Sequence, residues 1–261
     1  MKVVILCGGQ GTRLREETEY KPKPLVSIGG RPILWHIMKM FSHYGFNDFV
    51  LCLGYKAEVI KDYFLKFEEL TNDFTLNLRS KEERVIHHKG AMLEDWNITF
   101  VDTGLNTQTG GRVSRVKSFL EKDAPFFLTY GDGIADIDIP KLLEFHKQEG
   151  RIGTVTGVRP PSRFGELLSE GNKVISFEEK PNTSEGHING GFFVFDPKIF
   201  SYLSDDENCI LERTPLEKLV SDGELSIRPH DKFWHCMDTY RDFLLLEELW
   251  KNGAPWKVWK D

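Results

Sequence analysis

A glycine-rich segment, Gly8-Gly9-Gln10-Gly11-Thr12-Arg13-Leu14, follows directly on the apolar run Lys2–Cys7. Glycines let a backbone approach a ligand closely, and successive free N–H groups make a cradle for an anion. Arg13 adds a planar, permanently charged fork suited to phosphate oxygens. The glycine spacing matches neither Gly-x-Gly-x-x-Gly nor the Walker pattern, so taken alone the segment also reads as a tight turn with an exposed arginine. Lys23 stands in Lys21-Pro22-Lys23-Pro24, where two prolines favour an extended backbone that would hold its ammonium at a defined place. A solvated basic turn is the plainer reading. Asp132 closes the run Phe126–Tyr130 as Thr129-Tyr130-Gly131-Asp132-Gly133, and a carboxylate there suits a hard cation such as Mg²⁺. Asp238, in His235-Cys236-Met237-Asp238-Thr239, is either a second carboxylate for the same ion or the N-cap of the helix that follows. Lys180, in Phe177-Glu178-Glu179-Lys180-Pro181, and the triplet Asn189-Gly190-Gly191 are bland taken singly.

These residues need a scaffold that brings them together. Lys2–Cys7 reads as a buried parallel strand, Pro32–Tyr44 as an amphipathic helix stopped at Gly45, Asp48–Leu53 as a second buried strand and Lys56–Phe67 as a second helix. Strands alternating with helices predict an α/β fold with a Rossmann-like mixed sheet flanked by helices. Ligands of such sheets sit beyond the carboxyl ends of the strands, where the glycine loop lies. Asp73–Leu78, Trp96–Val101, Phe126–Tyr130, Gly153–Val158, Val174–Phe177 and Gly191–Phe195 read as further strands. Gly110–Leu120, Ile139–Gln148, Thr214–Asp222 and Tyr240–Asn252 read as helices. The charged stretch Arg79–Asp95 breaks the pattern and predicts a β arm at about 71–100 within a single domain spanning 1–261.

Composition removes several classes. The chain has 261 residues with a formal net charge of −6, which argues against a general nucleic-acid binder but not against one local basic pocket. No run of about 18 apolar residues is present, and Val3–Cys7 is too short for a signal-peptide core, so neither a membrane span nor secretion is expected. The four cysteines, Cys7, Cys52, Cys209 and Cys236, form no CxxC pair, which predicts a reducing, cytoplasmic setting without a disulfide framework. His87 and His88 are adjacent and would point to opposite faces of a strand, which disfavours a shared metal.

Gly8–Leu14, Lys23-Pro24, Gly131-Asp132, Glu179-Lys180-Pro181 and Asn189-Gly190-Gly191 occur in the order and at the spacing of the sugar-phosphate nucleotidylyltransferases. The chain resembles that family over nearly its whole length. Four shorter stretches, Ile33–Met40, Val101-Asp102-Thr103-Gly104, Thr109-Gly110-Gly111-Arg112 and the Trp-rich ending Ala254–Trp259, resemble its members that transfer a cytidylyl group to glucose 1-phosphate. The resemblance implies the reaction of CTP with α-D-glucose 1-phosphate to give CDP-glucose, a dideoxysugar precursor, and pyrophosphate. It implies that Leu6, Cys7, Gly8, Gly9, Gln10, Gly11, Thr12 and Arg13 wrap the nucleotide, and that Arg13 and Lys23 stabilise charge on its phosphates. Asp132 and Asp238 would hold Mg²⁺, and Gly131 would let the nucleotide sugar lie close. Lys180 would bind the sugar phosphate, with Glu179 and Asn189 facing sugar hydroxyls. Thr107, Gly111 and Arg112 would belong to the loop over the base.

The resemblance also implies a homo-oligomer, up to a hexamer, in which a neighbouring subunit completes the triphosphate site. Arg79–Asp95 is where an oligomer arm is expected. No hexapeptide β-helix repeat follows, so no second, acetyl-transferring activity is expected. The same chemistry with UTP or dTTP, and a non-catalytic nucleotide-sugar sensor on the same fold, stay open as alternatives. A dinucleotide-binding dehydrogenase does not fit the glycine spacing or the Arg13 within the loop.

Overall fold

The computed structural model describes residues 1–11, 14, 18–80, 84–87, 94–120, 124–159, 166–170, 173–178 and 186–260. Strand β1 (Lys2–Leu6) leads through the glycine loop to a 3₁₀ turn at Lys23–Leu25, short strands β2 (Ser27–Ile28) and β3 (Arg31–Pro32), and helix α1 (Ile33–His43). There follow β4 (Asp48–Leu53), α2 (Ala57–Leu65), α3 (Phe67–Thr71), β5 (Asp73–Leu76), β6 (Arg84–His87) and β7 (Asn97–Asp102). Next come α4 (Thr109–Arg115), β8 (Phe126–Tyr130), β9 (Gly133–Ala135), α5 (Ile139–Glu149) and β10 (Gly153–Val158). The chain continues with β11 (Glu166–Glu170), β12 (Lys173–Glu178), β13 (Ile188–Phe195), α6 (Thr214–Ser221), β14 (Leu225–His230), β15 (Trp234–Cys236) and α7 (Tyr240–Lys251).

Seven strands form the central sheet in the order β14-β10-β13-β8-β1-β4-β7. β13 runs antiparallel to β8 and β10, and the other neighbours are parallel. The mixed α/β sheet expected from the sequence is therefore present. Successive strand residues point to opposite faces, and the core divides accordingly. Val3, Ile5, Phe49, Leu51, Phe127, Phe192 and Val194 face one cluster, which α1, Leu246 of α7 and the tail residues Trp256 and Trp259 close. Val4, Leu6, Val50, Cys52, Phe126, Leu128, Phe193 and Phe195 face the other, closed by Val113, Ile199, Leu211 and Leu219. Burying each such side chain stabilises the fold by roughly 1.5–3 kcal/mol. That makes the sheet a rigid platform for whatever its strand ends hold.

The chain runs from β1 outward through β4 to β7, then returns to place β8 on the other side of β1. Strand order thus reverses between β1 and β8, and the crevice at such a switch point is where ligands of open α/β sheets bind.

The Trp-rich ending packs on α1. His36 is fully buried, with Nε2 2.9 Å from the carbonyl of Ile28, and Trp256 Nε1 donates to its Nδ1 at 3.4 Å. The ring is therefore the neutral Nε2–H tautomer, and burial pushes its pKa down to about 4.

The expected arm divides. β5 and β6 form a separate antiparallel pair, on which Phe74, Leu76 and Val85 are exposed. Residues 97–100 instead belong to β7, the edge strand of the central sheet, paired along β4. His87 pairs with the hydroxyl of Thr75 at 3.0 Å, while His88 lies outside the described residues.

Candidate active site

The carboxyl ends of β1 and β8 are fastened to each other. Gly131 N donates to the carbonyl of Leu6 at 3.0 Å, and on the β4 side Cys7 N reaches Cys52 O and Tyr55 N reaches Gly8 O. A side chain on Gly131 would lie 2.9 Å from Leu6 O, so the glycine permits this approach of the two strand ends. Beyond them opens a cavity of about 310 Å³, walled by Leu6, Cys7, Gly8, Gly9, Gly11 and Lys23 on one side and Tyr130, Gly131, Asp132 and Asp238 on another. Residues Thr107–Thr109 and Arg112 close it.

Lys23 occupies the first residue of a 3₁₀ turn rather than the extended backbone expected from its prolines. Leu25 N bonds to Pro22 O at 2.8 Å and Val26 N to Lys23 O at 3.0 Å. The prolines still fix the turn: Pro22 stays extended as its cap, and Pro24 is buried beside Gly131. From there Lys23 Nζ donates to Asp132 Oδ2 and to Asp238 Oδ1, both at 2.6 Å. These carboxylates hold its pKa well above the ordinary lysine value, against the opposing effect of burial.

Asp238 is not a helix cap. Thr239 caps α7 and forms a capping box with Asp242, whose carboxylate also accepts the backbone N–H of Asp238 at 3.1 Å. What brings Asp238 to Asp132 is the short ladder β9·β15, extended by Met237 N donating to Asp132 O at 2.9 Å. Donor atoms of Asp132, Cys236 and Asp238 all lie within 4.8 Å of one another. Burial and the two carboxylates push the Cys236 thiol up, so it stays protonated. The cluster thus offers hard carboxylate oxygens and a neutral thiol. That donor set fits Mg²⁺, which takes one or two carboxylates and keeps its waters.

Across β1 from this pair, Arg112 is buried and makes five hydrogen bonds. Nη1 donates to Leu53 O, Thr103 Oγ1 and Gly104 O, and Nη2 to Gly8 O and Leu105 O, at 2.7–3.2 Å. Its guanidinium therefore ties the glycine loop to the ends of β4 and β7. Burial lowers its pKa. Thr107 Oγ1 accepts from Arg115 at 2.7 Å and stands in the cavity wall.

Residues 2–258 match the family model described as nucleotidyl transferase. The chain belongs to the nucleotidyl transferase family. It is 49% identical over 261 residues to the glucose-1-phosphate cytidylyltransferase of Salmonella typhi, covering all of both chains. It is 47% identical over 260 residues to the probable glucose-1-phosphate cytidylyltransferase of Bacillus subtilis, covering 99% of this chain and all of that one. The mannose-1-phosphate guanyltransferase of Hypocrea jecorina is 31% identical over 97% of this chain and 66% of its own. Among solved structures, HddC from Yersinia pseudotuberculosis complexed with GMP-PN superposes with a TM-score of 0.69 at 24% identity, over 95% of this chain and 99% of that one. A putative glucose-1-phosphate thymidylyltransferase from Bacillus anthracis gives 0.68 at 20%, over 100% and 98%. These two likenesses concern the fold.

In this nucleotidyl transferase most residues expected at the site meet in one cavity. Gln10 does not: it is exposed and off the wall. Gly111 is not in the wall either: a side chain there would strike Asp206 O at 2.6 Å, so the glycine lets α4 lie close to that loop. Asn189 stands just beyond the wall and reaches it through Tyr130. Thr12, Arg13, Glu179 and Lys180 lie outside the described residues. Sequence reasoning missed Pro24, Tyr130, Gln108 and Thr109, all in the wall, and Glu212, whose carboxylate joins Tyr130 to Thr109. Pro24, Tyr130 and Thr109 each stand inside a motif quoted from the sequence without being given a role there, which was the available signal. Glu212 had none.

Proposed function

We propose that the chain transfers the cytidylyl group of CTP to α-D-glucose 1-phosphate, giving CDP-glucose and pyrophosphate for dideoxysugar assembly. The observation that carries this reading is the full-length 49% identity to the Salmonella typhi glucose-1-phosphate cytidylyltransferase. The geometry supports it: a cavity at the switch point sets a lysine beside two carboxylates, with backbone loops around them.

A phosphate oxygen of glucose 1-phosphate attacks the α-phosphorus of CTP, and the α–β bridging oxygen leaves with pyrophosphate. The nucleophile already carries charge, so positioning and electrostatics dominate the catalysis. Lys23 stabilises charge on the phosphates, and Arg13 is assigned the same task. Asp132 and Asp238 are the residues that would hold Mg²⁺, which when bound neutralises triphosphate charge. Gly8, Gly9 and Gly11 offer the nucleotide a wall free of side chains, and Thr107 faces the base. Glu179, Lys180 and Asn189 are assigned to the sugar phosphate.

The exposed apolar residues of β5 and β6 support an oligomer built through this hairpin, with up to six subunits and shared sites. Among the described residues no helix is long and apolar enough to cross a membrane, and a cytoplasmic location is part of the proposal.

A turnover matrix of CTP, UTP, dTTP, ATP and GTP against glucose 1-phosphate and mannose 1-phosphate tests the reading. CTP with glucose 1-phosphate should exceed every other pairing at least tenfold. Equal or greater turnover with UTP or dTTP would sink the cytidylyl assignment.

A further inference from the structure

Asn189 is the second residue of β13, at a place where the backbone is tightly determined. Gly157 and Asn189 pair just after a register shift between β10 and β13, and such bulges re-aim a side chain. Gly191 has φ +78°, and a side chain there would lie 2.5 Å from the ring of Tyr130, so this backbone wraps directly over that tyrosine. Trp234 Nε1 donates to the carbonyl of Gly190 at 2.7 Å and fixes the segment from the other side.

The hydrogen bonds that follow have one consistent direction. Gly191 N–H, a donor, meets Asn189 Oδ1 at 2.8 Å, so the other end of the amide is nitrogen. Asn189 Nδ2 then donates to the Tyr130 hydroxyl at 3.2 Å. The Tyr130 hydroxyl in turn donates to Glu212 Oε1. Burial and the adjacent Glu212 carboxylate push the phenol pKa up, so the donor keeps its proton. The second carboxylate oxygen of Glu212 accepts from Thr109 Oγ1 at 2.6 Å, and Thr109 Oγ1 in turn accepts from Leu211 N at 2.9 Å. Glu212, half-buried behind the wall, terminates the chain as the acceptor of two hydroxyl protons.

We infer that Glu212 is a positioning residue for the sugar phosphate, acting through Tyr130 to fix the amide of Asn189 with one Nδ2–H left to donate to a sugar hydroxyl. This rests on the assignment of Asn189 to the sugar. Without the carboxylate, the Tyr130 proton loses its acceptor and turns to Asn189, competing with the amide N–H. Gly191 N–H still holds Oδ1, but the Nδ2 end loses the acceptor that anchors it, and the donor offered to the sugar loses its fixed place.

Steady-state KM values for CTP and glucose 1-phosphate, with thermal melts, test this on Asn189→Ala, Glu212→Ala, Glu212→Gln and Tyr130→Phe. Glu212→Ala should raise KM for glucose 1-phosphate roughly fivefold to tenfold, with KM for CTP within about twofold. Glu212→Gln keeps an acceptor for Tyr130 and should restore the sugar KM to within about threefold of wild type. The Glu212→Ala/Asn189→Ala double variant should be no worse than Asn189→Ala alone, because one residue acts through the other. If Glu212→Ala does not fold, Tyr130→Phe, which cuts the same chain, should give the same selective rise. Equal rises in both KM values, or multiplying effects in the double variant, overturn the inference. So does an unchanged sugar KM in Glu212→Ala when Asn189→Ala raises it, which leaves the sugar assignment standing. An unchanged sugar KM in Asn189→Ala removes the sugar assignment itself, and the inference falls with it.

Discussion

Replacing Lys23 by Met removes the cation that two carboxylates share, and two consequences of opposite sign follow. Lys23 Nζ lies 2.6 Å from an oxygen of Asp132 and 2.6 Å from one of Asp238, with side-chain exposures of 12%, 24% and 29% for the three residues. A hydrogen bond to a charged group contributes roughly 1.5–3 kcal/mol. Two of them, discounted for the water that reaches both carboxylates, come to about 3 kcal/mol. A divalent ion that takes these carboxylates must displace the ammonium at that cost, which disappears in the variant. Lys23→Met without nucleotide should therefore bind Mn²⁺ about 100-fold more tightly than wild type. Turnover should instead fall about 10²–10³-fold, as for removal of one donor from an electrostatic site. Free Mn²⁺ measured by EPR during titration at fixed ionic strength gives the first quantity, and initial rates with CTP and glucose 1-phosphate give the second. Unchanged Mn²⁺ affinity would refute the shared-cation geometry. Unchanged turnover would remove Lys23 from the reaction.

Two further substitutions probe the supports of the site. The His36 pKa is depressed from 6.5 to about 4, so between those values the unfolded chain binds a proton that the native state refuses. Stability should fall as pH drops through that window, by up to about 3 kcal/mol. Melts of wild type and His36→Gln should converge toward pH 4.5, and a gap that stays constant from pH 7.5 would refute the neutral buried ring. At the loop, a side chain on Gly8 would lie 2.1 Å from Arg112 Nη1. Gly8→Ala should break the guanidinium fan and raise KM for CTP at least about tenfold, and an unchanged KM for CTP would mean the fan does not shape the nucleotide wall.

The central strands were legible because each is an uninterrupted apolar run ended by a turn signal. Asp48–Leu53, Phe126–Tyr130 and Gly153–Val158 have the bounds their composition predicts. β14 was not legible: Leu225–His230 is an edge strand with Pro229 in it and Ile227 exposed, so no buried run announces it. β9 and β15 are three residues each and exist only as partners of one another. Their pairing is a long-range contact, and it decides whether Asp238 caps a helix or joins Asp132. Lys23 was legible as a held cation and Asp132 with Asp238 as a carboxylate pair, but not that the pair holds the lysine. Arg112 was singled out in the sequence within Thr109-Gly110-Gly111-Arg112. That its whole guanidinium is committed to loop carbonyls and one hydroxyl follows from Gly8, Leu53 and Gly104 converging in space, which no local pattern encodes.

Arg112 also explains how the cavity acquires a polarity. All five acceptors of its guanidinium are neutral: four carbonyls and one hydroxyl. Arg115, one turn along α4, likewise donates to Thr103 O, Thr107 Oγ1 and Asp205 O. Neutral acceptors satisfy the N–H groups without pairing the charge, which the Asp102 carboxylate at the end of β7 offsets only from outside the hydrogen-bonded fan, and burying such a charge costs stability. A carboxylate in the same place would remove that cost and also the field. On the other side of β1 the balance is reversed, since one ammonium faces two carboxylates. The described wall is therefore positive toward β4 and negative toward β8. A ligand bound across it needs an anionic or acceptor-rich part at the arginine end and a cation-bearing part at the aspartate end. A nucleoside triphosphate carrying a divalent ion meets both demands in one orientation. A neutral nucleoside meets only the first, through the acceptors of its base, and leaves the aspartate end unanswered.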